Sequence, residues 1–342
     1  MNKKILITGG AGFIGTNSAN FFFENGWEVL IIDNLSRKGG KKNLEWLKGK
    51  IKLKFYQADI RDYDSMKEIF KVEVPDVVLH LAAQVAVTSS VLNPHEDFDI
   101  NAKGTFNLLE ALRLTSPETI FINASTNKVY GKLEAFNVVK RNNRYEYSNA
   151  PSGINEKCPL EFYSPYGCSK GSADQYTLDY ARIYGMKTTT FRQSCIYGER
   201  QFGVEDQGWV AWFAIAAELN KEITIYGDGM QIRDVLSVKD LVKAYLAAIN
   251  NISKAAGQAF NIGGGPGNTL SLIELIDLLE RKYQKPIPLL WDEWRPGDQQ
   301  VFICDIKKAK QLLGWTPAIS VKEGVGQLAD WVKENKIIFS DM

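Results

Sequence analysis

Five residues, Tyr166-Gly167-Cys168-Ser169-Lys170, carry the most suggestive chemistry in the chain. A Tyr and a Lys four apart on a helix lie on the same face. The ammonium favours the phenolate form of the Tyr. That phenolate can take a proton from a substrate hydroxyl while the attached carbon gives up hydride. Alone, Tyr-x-x-x-Lys is a weak signal, because an amphipathic helix with one polar stripe has the same spacing. The elements around the pair decide between the two readings.

Ser164-Pro165 opens the helix, Ser as cap and Pro in the first turn, so Tyr166 and Lys170 fall on its first turns. Upstream, Lys4 to Thr8 is a short apolar run suited to a buried parallel strand. It enters the turn Gly9-Gly10-Ala11-Gly12-Phe13-Ile14-Gly15, a helix to about Asn25 and a second apolar strand, Glu28 to Ile32, ending at Asp33. Strand, glycine turn, helix, strand and acid in this order form a dinucleotide-binding unit. The glycines let a pyrophosphate approach the helix N-terminus, and Asp33 can bind the adenosine 2′-hydroxyl. A carboxylate there repels a 2′-phosphate, which favours NAD over NADP, although Arg37 and Lys38 close behind could accept the phosphate. Further strands are expected at Lys52–Tyr56, Asp76–Leu81, Thr119–Ala124 and Lys187–Phe191, with a helix over Asn101–Leu114. His80 lies in an apolar strand and reads as structural.

The fold class is therefore α/β: a doubly wound parallel sheet with a smaller mixed α/β substrate-binding lobe. The expected division is residues 1–191, plus about 234–263, for the dinucleotide-binding domain, and about 192–233 and 264–332 for the lobe. Residues 132–160 interrupt the alternation and read as a loop or small excursion, with Lys140 to Arg144 a solvated basic face. Residues 333–342 read as a ragged tail.

Composition narrows the partners. The chain has 342 residues, with 41 Lys and Arg against 40 Asp and Glu. Near-zero net charge leaves no electrostatic footprint for nucleic acid or an anionic membrane. No apolar run is long enough for a transmembrane helix, and residues 1–8 already read as a strand, so no signal peptide is expected. Four cysteines without a CxxC pair, and two histidines, argue against a metal site or disulfide framework; a reducing cytoplasm fits.

The glycine spacing, G-x-x-G-x-x-G, resembles the extended branch of the short-chain dehydrogenase/reductase superfamily. By that resemblance the cofactor is NAD, held by Gly9, Gly12, Phe13, Ile14, Gly15, Asp33, Asn34, Ser36 and Arg37. Asp59 and Ile60 would contact adenine. Leu81, Ala82 and Gln84 would pass over the riboses, and Asn101 would support sheet and cofactor. Ser125 would lie beside the cofactor, and Gln193 would stand where the chain crosses toward substrate. The catalytic trio would be Thr126, Tyr166 and Lys170. Arg233 and Arg295 match positions that grip a diphosphate, Tyr226 would lie against the base, and Asp298 would bind the nucleotide ribose. Cys195 stands where galactose-type 4-epimerases carry Asn.

Three stretches are similar to the CDP-paratose 2-epimerases: Ser125 to Gly131, Ser164 to Gly171, and Tyr197 to Trp209 with its Arg200-Gln201-Phe202 and Gln207-Gly208-Trp209. The 4,6-dehydratases carry Asp-Glu directly after the catalytic Thr, an acid and a base for removing water. Asn127 and Lys128 stand there instead, and Asn cannot transfer a proton. The implied reaction is transient oxidation. Tyr166 takes the C2-hydroxyl proton, hydride leaves C2 for NAD, the 2-keto sugar turns its other face, and hydride returns. A CDP-hexose is the favoured substrate, CDP-paratose to CDP-tyvelose or CDP-glucose to CDP-mannose. Thr126, Cys195, Arg200, Gln201, Gln207, Tyr226, Arg233, Arg295 and Asp298 are the expected contacts. The same scaffold also serves UDP-sugar 4-epimerases and decarboxylases, and non-catalytic NAD-sensing proteins. The family implies a homodimer or homotetramer.

Overall fold

A computed structural model describes residues 3–142, 144–295 and 299–340. Its centre is a seven-stranded sheet with every neighbouring pair parallel. The spatial order is Ala259–Ile262, Thr188–Gln193, Ile120–Thr126, Val77–His80, Lys4–Thr8, Glu28–Ile32, Leu53–Tyr56. Lys4–Thr8 pairs with Glu28–Ile32 on one side and Val77–His80 on the other. The chain reverses its direction of growth there, and a crevice opens beyond the strand ends.

Strand residues alternate between the two faces. Ile5, Ile7, Val29, Ile31, Val77 and Leu79 pack on one side with Phe22 of the helix Phe13–Glu24 and with Leu241, Tyr245 and Ala248 of the helix Val238–Asn250. Leu6, Leu30, Val78 and Phe121 face the other way, onto Leu108, Leu109 and Leu112 of Gly104–Thr115 and Met66 and Phe70 of Tyr63–Glu73. Burial on both faces is why these strands read as continuous apolar runs.

A second core lies under the helices Trp209–Glu218, Leu272–Tyr283 and Val321–Glu334, around Ile223, Ile225, Leu275, Leu328 and Val332. The strand Ile232–Ser237 runs antiparallel to Thr269–Ser271 and parallel to Val301–Phe302 and Cys195–Tyr197. Ile223–Tyr226 pairs in parallel with Leu289–Asp292.

Two expectations change. Residues 132–160 contain an antiparallel hairpin, Val138–Arg141 with Arg144–Tyr147. Its basic residues are not a free solvated face: Lys140 pairs with Asp228 at 3.3 Å and Arg144 with Glu274 at 3.1 Å. The hairpin is thereby strapped to the segments around the second core. The described part of the tail is also packed. Phe339 is fully buried against Phe202 and Trp331.

Candidate active site

One continuous cavity of about 800 Å³ opens at the carboxyl ends of the strands. Gly9, Gly12, Phe13, Ile14, Gly15, Asp33, Asn34, Ser36, Arg37, Asp59, Ile60, Leu81, Ala82, Ser125 and Gln193 line one part of it. Thr126, Tyr166 and Lys170 line it too, as do Cys195, Gln201, Gln207, Tyr226, Arg233 and Arg295. Residues far apart in sequence thus meet around one space.

The glycine turn is as tight as its composition suggests. Gly9 has φ +67°, and a Cβ there would come within 2.7 Å of the Ala82 backbone. A Cβ on Gly15 would come within 2.3 Å of the Gly9 carbonyl oxygen. The turn therefore excludes side chains where the helix Phe13–Glu24 presents its N-terminal amides. Asp33 accepts the amides of Ala11 at 3.0 Å and Leu35 at 2.7 Å, which fixes the carboxylate at the strand tip. Burial raises its pKa, and those two amides oppose the rise. Asn34 donates to Asp59 at 2.9 Å, tying the two adjoining loops together. Arg61 holds the Asp59 carboxyl down at a pKa of about 2. Among the described residues the buried Ser125 hydroxyl has no hydrogen-bond partner. A bare glycine turn, an acid at the next strand tip and an unpartnered hydroxyl deeper in the cavity fit a dinucleotide with a polar end group.

Ser164 caps the helix Pro165–Tyr184 by accepting the Gly167 amide at 3.0 Å, and this sets Tyr166 and Lys170 facing the end of Ile120–Thr126. The Lys170 ammonium donates to the Ala124 carbonyl at 2.6 Å. Burial pulls Lys170 down to about 8, while Asp174 and Asp97 oppose that fall. Burial likewise pushes the Tyr166 phenol up to about 12, opposed first by the Thr126 hydroxyl. The charge of Asp97 raises it further and that of Arg37 lowers it. Thr126 accepts the Lys128 amide at 3.2 Å and lies 3.3 Å from the Asn127 side-chain oxygen. Asn127 and Lys128 themselves line the cavity.

At the outer end, the Arg295 guanidinium sits 3.9 Å from the Tyr226 ring centroid and 3.1 Å from Asp206. Tyr226 donates to Glu205 at 2.7 Å. Arg37 reaches across to Gln207, joining the loop after the second strand to the loop before Trp209. Burial raises the Cys195 thiol pKa, against the pull of Arg233 and Trp209.

Three expected site residues stand elsewhere. Arg200 does not line the cavity: its guanidinium stacks 4.2 Å from Trp46 and 5.7 Å from Trp331, with the backbone at φ +66°. Gln84 and Asn101 lie behind the wall. The Asn101 amide group ties Gln84 to Asp97 and Ser169, so both residues shape the site without facing it. Asp298 falls outside the described residues. His80 is buried between Thr8 at 2.7 Å and Thr105 at 2.9 Å, and burial holds it neutral with a pKa of about 3. Glu205, Asp206 and Gln231 line the cavity but were not singled out as contacts, while Trp209, which with Gln207 and Gly208 could shape a base or sugar pocket, lines it too. The acids lie one and two positions before Gln207, and their adjacency to that residue was the available signal.

Comparison with known proteins agrees with this geometry. The family model described as GDP-mannose 4,6 dehydratase matches residues 6–328. The chain is 46% identical over 333 residues to the CDP-paratose 2-epimerase of Salmonella typhi, covering 96% of this chain and 98% of that protein. The crystal structure of UDP-glucose 4-epimerase with UDP-glucose from Thermotoga maritima superposes with a TM-score of 0.84 at 34% identity, over 97% and 99% of the two chains. UDP-glucuronic acid 4-epimerase from Bacillus cereus, in complex with UDP-glucuronic acid and NAD, gives 0.83 at 28%, over 97% and 99%. The chain belongs to the GDP-mannose 4,6-dehydratase family of NAD-dependent nucleotide-sugar epimerases and dehydratases, within the extended short-chain dehydrogenases/reductases.

Proposed function

We propose that this chain is an NAD-dependent epimerase that inverts C2 of the hexose of a CDP-sugar, CDP-paratose to CDP-tyvelose. The observation that carries this reading is the 46% identity, over almost the whole chain, to a CDP-paratose 2-epimerase. Asn127 and Lys128 favour it over dehydration, because the position after Thr126 lacks a carboxyl to move the second proton.

Gly9, Gly12 and Gly15 with the helix N-terminus hold the pyrophosphate of NAD, Asp33 its adenosine ribose, and Ser125 its polar end. Bound there, NAD would supply hydride-accepting and hydride-donating chemistry. Tyr166 takes the proton from the C2 hydroxyl and gives it back. Thr126 orients that oxygen, and Lys170 contributes the positive charge of the pocket floor. Arg233 and Arg295 grip the diphosphate as planar forks, with Tyr226 against the base. Clamping the nucleotide while the sugar stays free lets the keto sugar offer either face. Residues 1–191 with about 234–263 form the NAD-binding part, and about 192–233 with 264–332 the sugar-nucleotide part.

Phe106, Leu114, Tyr176, Ile183 and Tyr184 are exposed on the helices Gly104–Thr115 and Pro165–Tyr184. Two copies burying this apolar face would form a homodimer in the cytoplasm.

The test is product analysis by NMR after incubation with CDP-paratose, CDP-glucose or UDP-glucose. A C2 epimer from a CDP-sugar supports the proposal. A C4 epimer from UDP-glucose would replace it with the UDP-sugar 4-epimerase reading, which the likeness to the UDP-glucose complex favours.

A further inference from the structure

Behind the helix that carries Tyr166 and Lys170 lies a buried acid that the mechanism above does not use. Asp97 is 1% exposed, on the short helix Pro94–Phe98. Its two carboxylate oxygens accept from neutral groups, one from the Ser169 hydroxyl and one from the Asn101 amide at 3.1 Å. Ser169 sits between the catalytic pair, directly before Lys170, and its hydroxyl also lies 3.2 Å from the Tyr166 carbonyl oxygen. A buried carboxylate without a touching cation is costly unless a nearby charge compensates it.

Two buried carboxylates act on Lys170, Asp174 and Asp97, and of these Asp97 is the one without a cation in contact among the described residues. Asp174, one turn on along the same helix, is already held by Arg192, at 2.9 Å and 3.1 Å. His80, on the strand Val77–His80, is neutral. Burial pushes the Tyr166 phenol up, and the charge of Arg37 opposes that rise. The strand Ile120–Thr126 offers Lys170 only the Ala124 carbonyl. Asp97 is the carboxylate near Lys170 that no other cation neutralises among the described residues.

We propose that Asp97 is a positioning residue for the reaction: held against the catalytic helix by Ser169 and Asn101, it adds to Asp174 the negative charge that keeps the buried Lys170 an ammonium. This rests on Tyr166 and Lys170 being the proton-handling pair. Asp97 touches neither the cavity nor any reacting atom, so it acts through Lys170. Its charge also disfavours the Tyr166 phenolate. Removing it therefore lowers the pKa of both members, and the pH–rate profile reports the pair.

The experiment compares pH profiles of kcat for the holoenzyme and for Asp97→Asn and Asp97→Glu. In Asp97→Asn both limbs move to lower pH, by about one unit, the low end of a close-charge effect. Asp97→Glu keeps the charge and keeps both limbs in place. A second readout needs no turnover: trace acetylation with acetic anhydride across pH, with Lys170 followed by mass spectrometry. Its reactivity midpoint falls in Asp97→Asn. If Asp97→Asn does not fold, Asp97→Ser takes its place. Limbs and labelling midpoint unchanged from wild type, whatever the activity, would overturn the proposal. Full activity in Tyr166→Phe would instead remove the reading beneath it.

Discussion

The Arg295 guanidinium lies 3.9 Å over the Tyr226 ring while its edge is 3.1 Å from Asp206. The expected diphosphate clamp is engaged by two acids, Asp206 and, at 3.7 Å, Glu205. A diphosphate must take the acids' place, so it competes with them for the same fork. Asp206 is exposed, and an exposed ion pair is worth about 0.2–1 kcal/mol. Asp206→Asn should lower KM for the nucleotide sugar by roughly two- to fivefold with kcat little changed. Arg295→Ala should raise KM. Steady-state kinetics on both variants checks the pair, and an unchanged KM in Arg295→Ala would remove that residue from the clamp.

Tyr166→Phe removes one hydroxyl from a buried site and leaves the fold's packing in place. Bound NAD should survive gel filtration, while turnover falls by about 10²–10⁴, the usual worth of a general acid–base group.

Gly15→Ala tests the turn. The new Cβ would lie 2.3 Å from the Gly9 carbonyl and 2.6 Å from Gly10 Cα, both backbone atoms that cannot swing aside. Loss of about 1–3 kcal/mol of stability is expected from the overpacking, together with loss of retained NAD. Thermal melting and the absorbance of the purified protein read the two effects.

Lys170 has a testable signature in stability. Its folded pKa, about 8, lies below the free value of 10.5. Between these values the unfolded chain holds more protons, so raising pH through this window stabilises the fold with respect to this group. Lys170→Met should therefore melt above wild type at pH 7. The gap, on the order of 3 kcal/mol at most, should narrow toward pH 10. The comparison is made at equal NAD saturation. A gap that widens with pH would contradict the assignment.

The alternation of apolar strands and helices was readable from the sequence because strands buried on both faces leave no polar positions. That Thr126, Tyr166 and Lys170 meet at one cavity was readable because each sits near the start or end of a regular element. What the sequence hid was lateral. Asp97 is 72 residues from Ser169, and nothing local marks it as that residue's partner. Arg200 sits in a motif of cavity residues, but its positive φ turns it onto Trp46 and Trp331 instead. The hairpin at 138–147 buries little, so its apolar pattern is faint, and its arginine finds Glu274 through tertiary packing alone.

Arg200 accordingly gives a contrasting expectation. Arg200→Ala should leave KM for the nucleotide sugar unchanged and lower stability by about 0.5–2 kcal/mol, through lost stacking on two indoles. A raised KM with unchanged melting would return it to the substrate site.

The central claim is inversion at C2 by an oxidation whose hydride never leaves the site. The most direct measurement follows a CDP-sugar deuterated at C2, incubated with the purified protein and no added cofactor, by NMR. The account predicts a C2 epimer that keeps its deuterium at C2 in ordinary water. Loss of that label to solvent, or inversion at C4 with C2 untouched, would contradict it.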